Sequence, residues 1–107
     1  MRKTFVLQSA QADYKKIRQY VCRKFGTVAW EPIHAEWKTI LARLQSHPEL
    51  GSSIAELDGT GFTQFRKYLH KNAFVVYHHD DERIIIYMFI PTVRDFRAHL
   101  FERLLAP

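Results

Sequence analysis

Two groups of residues in this sequence have types that can do chemistry. One is the run His78-His79-Asp80-Asp81-Glu82; the other is a cationic set, Arg66, Lys67, Lys71, Arg94 and Arg97. Paired imidazoles beside acids suggest a metal site. On a strand, however, adjacent side chains point to opposite faces, so His78 and His79 do not readily share one ion. Asp80-Asp81-Glu82 falls where a hairpin must turn, and solvated acids belong there. No metal and no cofactor are expected from these residues. Nor is there a glycine-rich phosphate loop, a Ser-His-Asp arrangement or a His-Glu helix motif. The single cysteine, Cys22, excludes an internal disulfide and a thiolate zinc cage and is expected to be a buried, inert thiol.

The cationic set is the remaining candidate. Arg66, Lys67 and Lys71 lie on or just after one predicted strand, and Arg94 and Arg97 open the last predicted helix. Brought to one end of a sheet, they would suit a phosphate backbone or an acidic protein segment. The plain alternative is a solvated rim. Arg66 and Lys67 alternate in direction, so only one of them can face a given site.

The elements that must position these groups follow from periodicity. Ile84 to Ile90 has no charge, and a strand apolar on both faces must be covered on both. Strict alternation puts Ile84, Ile86, Met88 and Ile90 on one face and Ile85, Tyr87 and Phe89 on the other. Short polar connections at His70-Lys71-Asn72 and Asp80-Asp81-Glu82 join it to strands over 73–79 and 62–69, giving an antiparallel meander. Thr4–Leu7 reads as a further strand. Ser9 offers an N-cap to a helix burying Ala10, Tyr14, Ile17, Val21 and Phe25, which stops at Gly26. A second helix is predicted from about Pro32 to His47, burying Ile33, Trp37, Ile40, Leu41 and Leu44. Residues 48–61 read as a loop tethered by Leu57. Pro91 breaks the strand, Thr92-Val93-Arg94-Asp95 has the form of a capping box, and Phe96, Leu100 and Leu104 make a short closing helix. The expected fold is one α+β domain over residues 1–107: an antiparallel sheet of N-terminal strand plus meander, an N-terminal helical hairpin on one face, and a short C-terminal helix.

Composition bounds the function. A chain of 107 residues, 47% hydrophobic and 14% aromatic, supports a single packed core and is not a disordered tail. No signal-peptide or membrane-spanning pattern is present, so a cytoplasmic location without membrane association is expected. Net charge +5 favours an acidic partner, nucleic acid or protein.

Three segments together resemble a known family. Ser9 to Tyr20, SAQADYKKIRQY, resembles the first helix of ParE-type toxins. Leu44 to Gly51, LQSHPELG, resembles the end of their second helix and its Pro-x-x-Gly turn. Phe65 to Asp95 resembles their sheet: an Arg-initiated strand, an apolar strand ending in Tyr, an acidic turn, an Ile-rich strand and a terminal Arg-Asp. On these motifs the chain is identified as a member of the RelE/ParE toxin superfamily, closer to ParE.

The resemblance implies a toxin of a type II toxin–antitoxin system, held inactive in a hetero-oligomer by an acidic antitoxin. ParE-like members inhibit DNA gyrase, whereas RelE-like members are metal-independent ribonucleases acting on ribosome-bound mRNA. Laid on this chain, the RelE-like pattern puts Lys67 and Arg94 at cationic catalytic positions. Phe74 falls where those nucleases carry arginine, and Leu100 where RelE carries tyrosine. His70, His78 and His99 are the candidate bases. Half the nuclease apparatus is thus missing, which favours a non-enzymatic gyrase inhibitor that uses Arg66, Lys67, Lys71, Arg94 and Arg97 to bind its target. One departure from ParE is Phe89-Ile90-Pro91, where a histidine is common. The alternatives are the ribonuclease and a non-toxic module that only binds antitoxin.

Overall fold

The computed structural model describes residues 2–106. In chain order the elements are β1 (Lys3–Val6), α1 (Gln8–Phe25), α2 (Thr27–Ser46), β2 (Ser52–Ser53), β3 (Arg66–His70), β4 (Ala73–His79), β5 (Arg83–Pro91) and α3 (Phe96–Leu105). The five strands form one sheet in the order β1-β5-β4-β3-β2. The meander β3-β4-β5 is antiparallel as its short connections require. β1 is the exception: it pairs parallel with β5, Phe5 opposite Ile85, so the sheet is mixed though mostly antiparallel. A parallel neighbour is possible because two helices and three strands intervene before the chain returns.

β5 is covered on both faces, but strict alternation does not hold along it. Val76 lies opposite Met88 while Tyr77 lies opposite Ile86, which leaves Tyr87 as an extra, bulged residue. The bulge switches the faces after Ile86. Ile84, Ile86 and Phe89 therefore pack under the helical hairpin with Ala10, Trp37, Ile40 and Leu44. Met88 and Ile90 pack on the opposite face with Ile54, Leu57, Phe65 and Leu100. The helical hairpin covers one face; α3 and the loop before β3 cover the other.

Several element ends differ from the sequence expectation. α1 starts at Gln8 with Leu7 as its N-cap residue, so Ser9 lies inside the first turn and makes no side-chain cap. Instead the Gln11 side chain donates to the Val6 carbonyl at 2.9 Å. Phe25, the last residue of α1, is 61% exposed and belongs to neither core cluster. α2 begins at Thr27, well before Pro32, because Gly26 alone makes the connection. Its φ of 91° is in the range that favours glycine. Pro32 sits inside α2 and forgoes one helical hydrogen bond. Phe62 to Gln64 form a turn rather than strand, and Phe65 is buried just before β3. The loop over 48–61 is ordered by two single-turn 3-10 segments and by β2, with Leu57 buried as expected. Thr92 does not cap α3, since its N–H and hydroxyl bond the Asn72 carbonyl. Asp95 is the cap, its carboxylate accepting from the Ala98 N–H at 3.0 Å. Cys22 is half-buried rather than buried.

The two helices meet around Tyr14, which packs against Trp30, His34 and Phe89. Its hydroxyl lies 2.7 Å from His34 Nδ1, and burial pushes the phenol up to about 12. Ultraviolet titration should therefore find one tyrosine ionising about two units above the ordinary value near 10.

Candidate functional site

Asp80 shows how the acidic run is used. Its carboxylate accepts from the N–H groups of Glu82 and Arg83 at 2.9 and 2.7 Å and pairs with the Arg83 guanidinium at 3.0 Å. These donors, the Glu82 N–H first, hold it down at about 2. The run is a hairpin turn that ties its own backbone. His78 and His79 lie on opposite faces: His78 packs between Phe65 and Tyr87, and His79 is exposed.

The cationic set is divided between the two faces and the end of the sheet. Arg66 is built into the framework, its guanidinium donating to the carbonyls of Gly51 at 2.9 Å and Glu49 at 3.4 Å. Lys71 reaches to α2 and pairs with Glu36 at 3.1 Å. Lys67 takes the other face, its ammonium 5.4 Å from the Phe74 ring centre and 4.9 Å from that of Phe96. Phe96 is the first residue of α3, so Lys67 and the start of α3 do converge. Arg97 extends along α3 over the Phe101 ring at 5.4 Å. Arg94 is exposed at the turn into α3, where its N–H bonds the Pro91 carbonyl. Lys67 thus meets the first residue of α3, while Arg94 sits in the turn after β5 and Arg97 on α3. Arg66 faces the other side of the sheet, and Lys71, in the turn beside the end of β5, sends its ammonium to Glu36.

The candidate bases are also dispersed. His70 lies on the hairpin side, with Nε2 2.8 Å from the Glu36 carboxylate and its ring against Trp37. The hydrogen bonds from His70 and Lys71 lower the Glu36 carboxyl. His99 is on α3, near Asp13, Arg103 and Arg94, and its Nε2 is buried without a partner. Burial holds the imidazoles of both His78 and His99 below the ordinary value near 6.5. The unfolded chain then takes up these protons first, so stability is full above that value and declines as pH falls through it. The thermal midpoint should drop between pH 7 and pH 5, and His99→Gln should flatten that slope.

Three features stand outside the candidate residues. The Tyr77 hydroxyl, fully buried, accepts from the Gly51 N–H at 2.9 Å and donates to the Pro48 carbonyl. The Pro48–Gly51 spacing was the only visible signal of this pin. Asp13 pairs with Arg103 at 2.7 Å and also accepts from the Phe89 N–H at 3.2 Å. It thereby closes the β5 edge beyond β1 and fastens α3 to α1. At the other sheet edge β2 pairs only with Arg66 and Lys67, leaving Tyr68–His70 open on that side among the described residues. Beside this open edge runs a shallow cleft of about 350 Å³ lined by Glu36, Thr39, Ile40, Arg43, Tyr68 and His70.

Fold and surface together define a small basic α+β domain: a helical hairpin on a five-stranded mixed sheet, with the end of β3 open beside a cleft among the described residues. Among the described residues no helix is long and apolar enough to cross a membrane. The family model described as "ParE toxin of type II toxin-antitoxin system, parDE" matches residues 5–96. The chain belongs to that family of type II toxin–antitoxin toxins. Among solved structures, a chain of the "Chromosomal ParDE TA system from P. aeruginosa" has the same fold, with a TM-score of 0.64 at 14% identity, covering 85% of this chain and 96% of that one. No curated protein sequence matches. The family match ends at Phe96, so nearly all of α3 lies beyond it.

Proposed function

We propose that this toxin acts by binding rather than by catalysis, that its target is DNA gyrase, and that an acidic antitoxin neutralises it in a cytoplasmic hetero-complex. The observation that carries this reading is the setting of Lys67. Its ammonium rests between the Phe74 and Phe96 rings, and Phe74 stands where the RelE-like pattern has arginine. A phosphate-cleaving site needs several cations and a proton acceptor around one phosphorus. Here Lys67 faces aromatic carbon, His70 lies on the opposite sheet face and His78 is packed between rings. Arg94, Arg97 and Lys67 then serve as a target-binding patch at the start of α3. Purified protein should block supercoiling of relaxed plasmid by gyrase, and Arg94→Ala/Arg97→Ala should weaken the block at least tenfold. Unimpaired supercoiling at a large excess of toxin overturns the gyrase target.

One observation favours the ribonuclease as a second reading: His99, in the first turn of α3 that follows Arg94, has a buried Nε2 without a partner. That reading expects mRNA cleavage on translating ribosomes, lost in Arg94→Ala and His99→Gln. Normal translation at growth-arresting levels excludes it.

The antitoxin fits the open edge of β3. A strand added beside Tyr68–His70 would bond its backbone to β3 and lay alternate side chains into the cleft. Leu69→Asp, at a site already 52% exposed, should leave folding intact and weaken antitoxin binding at least tenfold. An unchanged dissociation constant removes this edge as the docking site.

A further inference from the structure

We infer that the outer face of α1 binds the phosphate backbone of double-stranded DNA. α1 contains five cations, Lys15, Lys16, Arg18, Arg23 and Lys24, and one acid, Asp13. It therefore carries four of the chain's five net positive charges. Asp13 is turned inward onto Arg103 and offsets nothing on the outer face. All five cations are exposed, and none has an ion-pair partner among the described residues. Only Lys24 is engaged, bonded to the Tyr20 hydroxyl at 3.1 Å and lying over the Tyr20 and Phe25 rings.

Helical spacing sharpens the surface. Lys15, Lys16, Gln19 and Arg23 fall within an arc of about 100°, opposite the stripe of Ala10, Tyr14, Ile17 and Val21 that packs on the sheet. The cations span about 14 Å of helix, enough to meet a few phosphates along one strand. Gln8, Ala12 and Gln19 are the uncharged members of the arc, none of them large and apolar; exposed Tyr20 lies about 40° beyond its edge and is engaged by Lys24. Protein interfaces centre on apolar and aromatic side chains and are depleted in lysine, which argues against an acidic protein as occupant. Readers of single-stranded RNA stack bases on aromatic rings, and the arc holds none. A convex, lysine- and arginine-rich polar helix suits the backbone of a duplex.

A part in gyrase inhibition rests on the target proposed above, since gyrase works on duplex DNA; the DNA contact itself does not. The test is fluorescence anisotropy with a labelled 30-base-pair duplex at a series of salt concentrations. Three phosphate contacts predict a log–log salt slope of about −2.7, hence about 40-fold weaker binding at 200 mM than at 50 mM salt. Lys15→Glu/Arg23→Glu should lose at least tenfold in affinity and bring the slope to about −1. Lys3→Glu/Lys38→Glu, which makes the same change in net charge off this face, should lose less than threefold. No binding at 50 mM salt, or equal losses in the two double variants, overturns the inference. So does tighter binding to single-stranded RNA or to poly-glutamate. Supercoiling inhibition without any DNA binding overturns this contact and leaves the gyrase target standing; DNA binding without inhibition does the reverse.

Discussion

Gly51→Ala is expected to destabilise the domain by about 3 kcal/mol or more, although the residue has an ordinary extended φ of −74°. The space for a Cβ is already filled. It would lie 2.8 Å from the Lys67 carbonyl and 2.9 Å from the Tyr77 ring, closer still to the Tyr77 hydroxyl. Backbone on one side and a buried ring on the other leave nothing free to move. The displaced hydroxyl also gives up its bonds to the Gly51 N–H and the Pro48 carbonyl, which are then buried without partners. For a domain of this size the midpoint should fall by roughly 10–15 °C. Tyr77→Phe alone should cost about 1–3 kcal/mol, because it strands the same two groups without the clash. Combined, the two changes should cost clearly less than their sum, since removing the hydroxyl relieves the crowding. Calorimetry on the four proteins decides this, and strict additivity would separate Gly51 from Tyr77.

Asp13→Ala carries the second large effect, about 3 kcal/mol. The carboxylate bonds Arg103 through both oxygens, at 2.7 and 2.9 Å, and accepts from the Phe89 N–H. With side-chain exposures of 11% and 22%, the pair is among the least hydrated in the molecule, and Arg103 already has one buried nitrogen without a partner. Removing Asp13 leaves a charge and a strand N–H stranded together. Because this pair fastens α3 to α1, the loss should appear first as faster hydrogen exchange and proteolysis across 96–105, before the sheet opens. Asp13→Leu/Arg103→Leu should be much closer to wild type, since no lone charge is left behind. If α3 remains protected in Asp13→Ala, apolar packing of Leu100 alone holds the helix down.

The family was legible because its signals are local and repeated. An uncharged seven-residue strand, two tight polar turns and an amphipathic first helix each leave a period in the sequence, and their order fixes the α+β arrangement. The candidate cations were legible as types but not as neighbours. Arg66 and Lys67 are adjacent in sequence, yet one clamps the carbonyls of Gly51 and Glu49 and the other lies on two aromatic rings. Strand alternation foretold that they would separate, not what each would meet.

By itself the sequence determined most of the buried stripes of the two long helices and the two hairpin turns of the meander, since hydrophobic period and turn chemistry act over a few residues. Only the tertiary structure decided the parallel entry of β1, the bulge at Tyr87, the pairing of Asp13 with Arg103 and the Tyr77–Gly51 pin. Each of these joins segments far apart in the chain, and such partners are chosen by packing in three dimensions, which leaves no periodic mark on either segment.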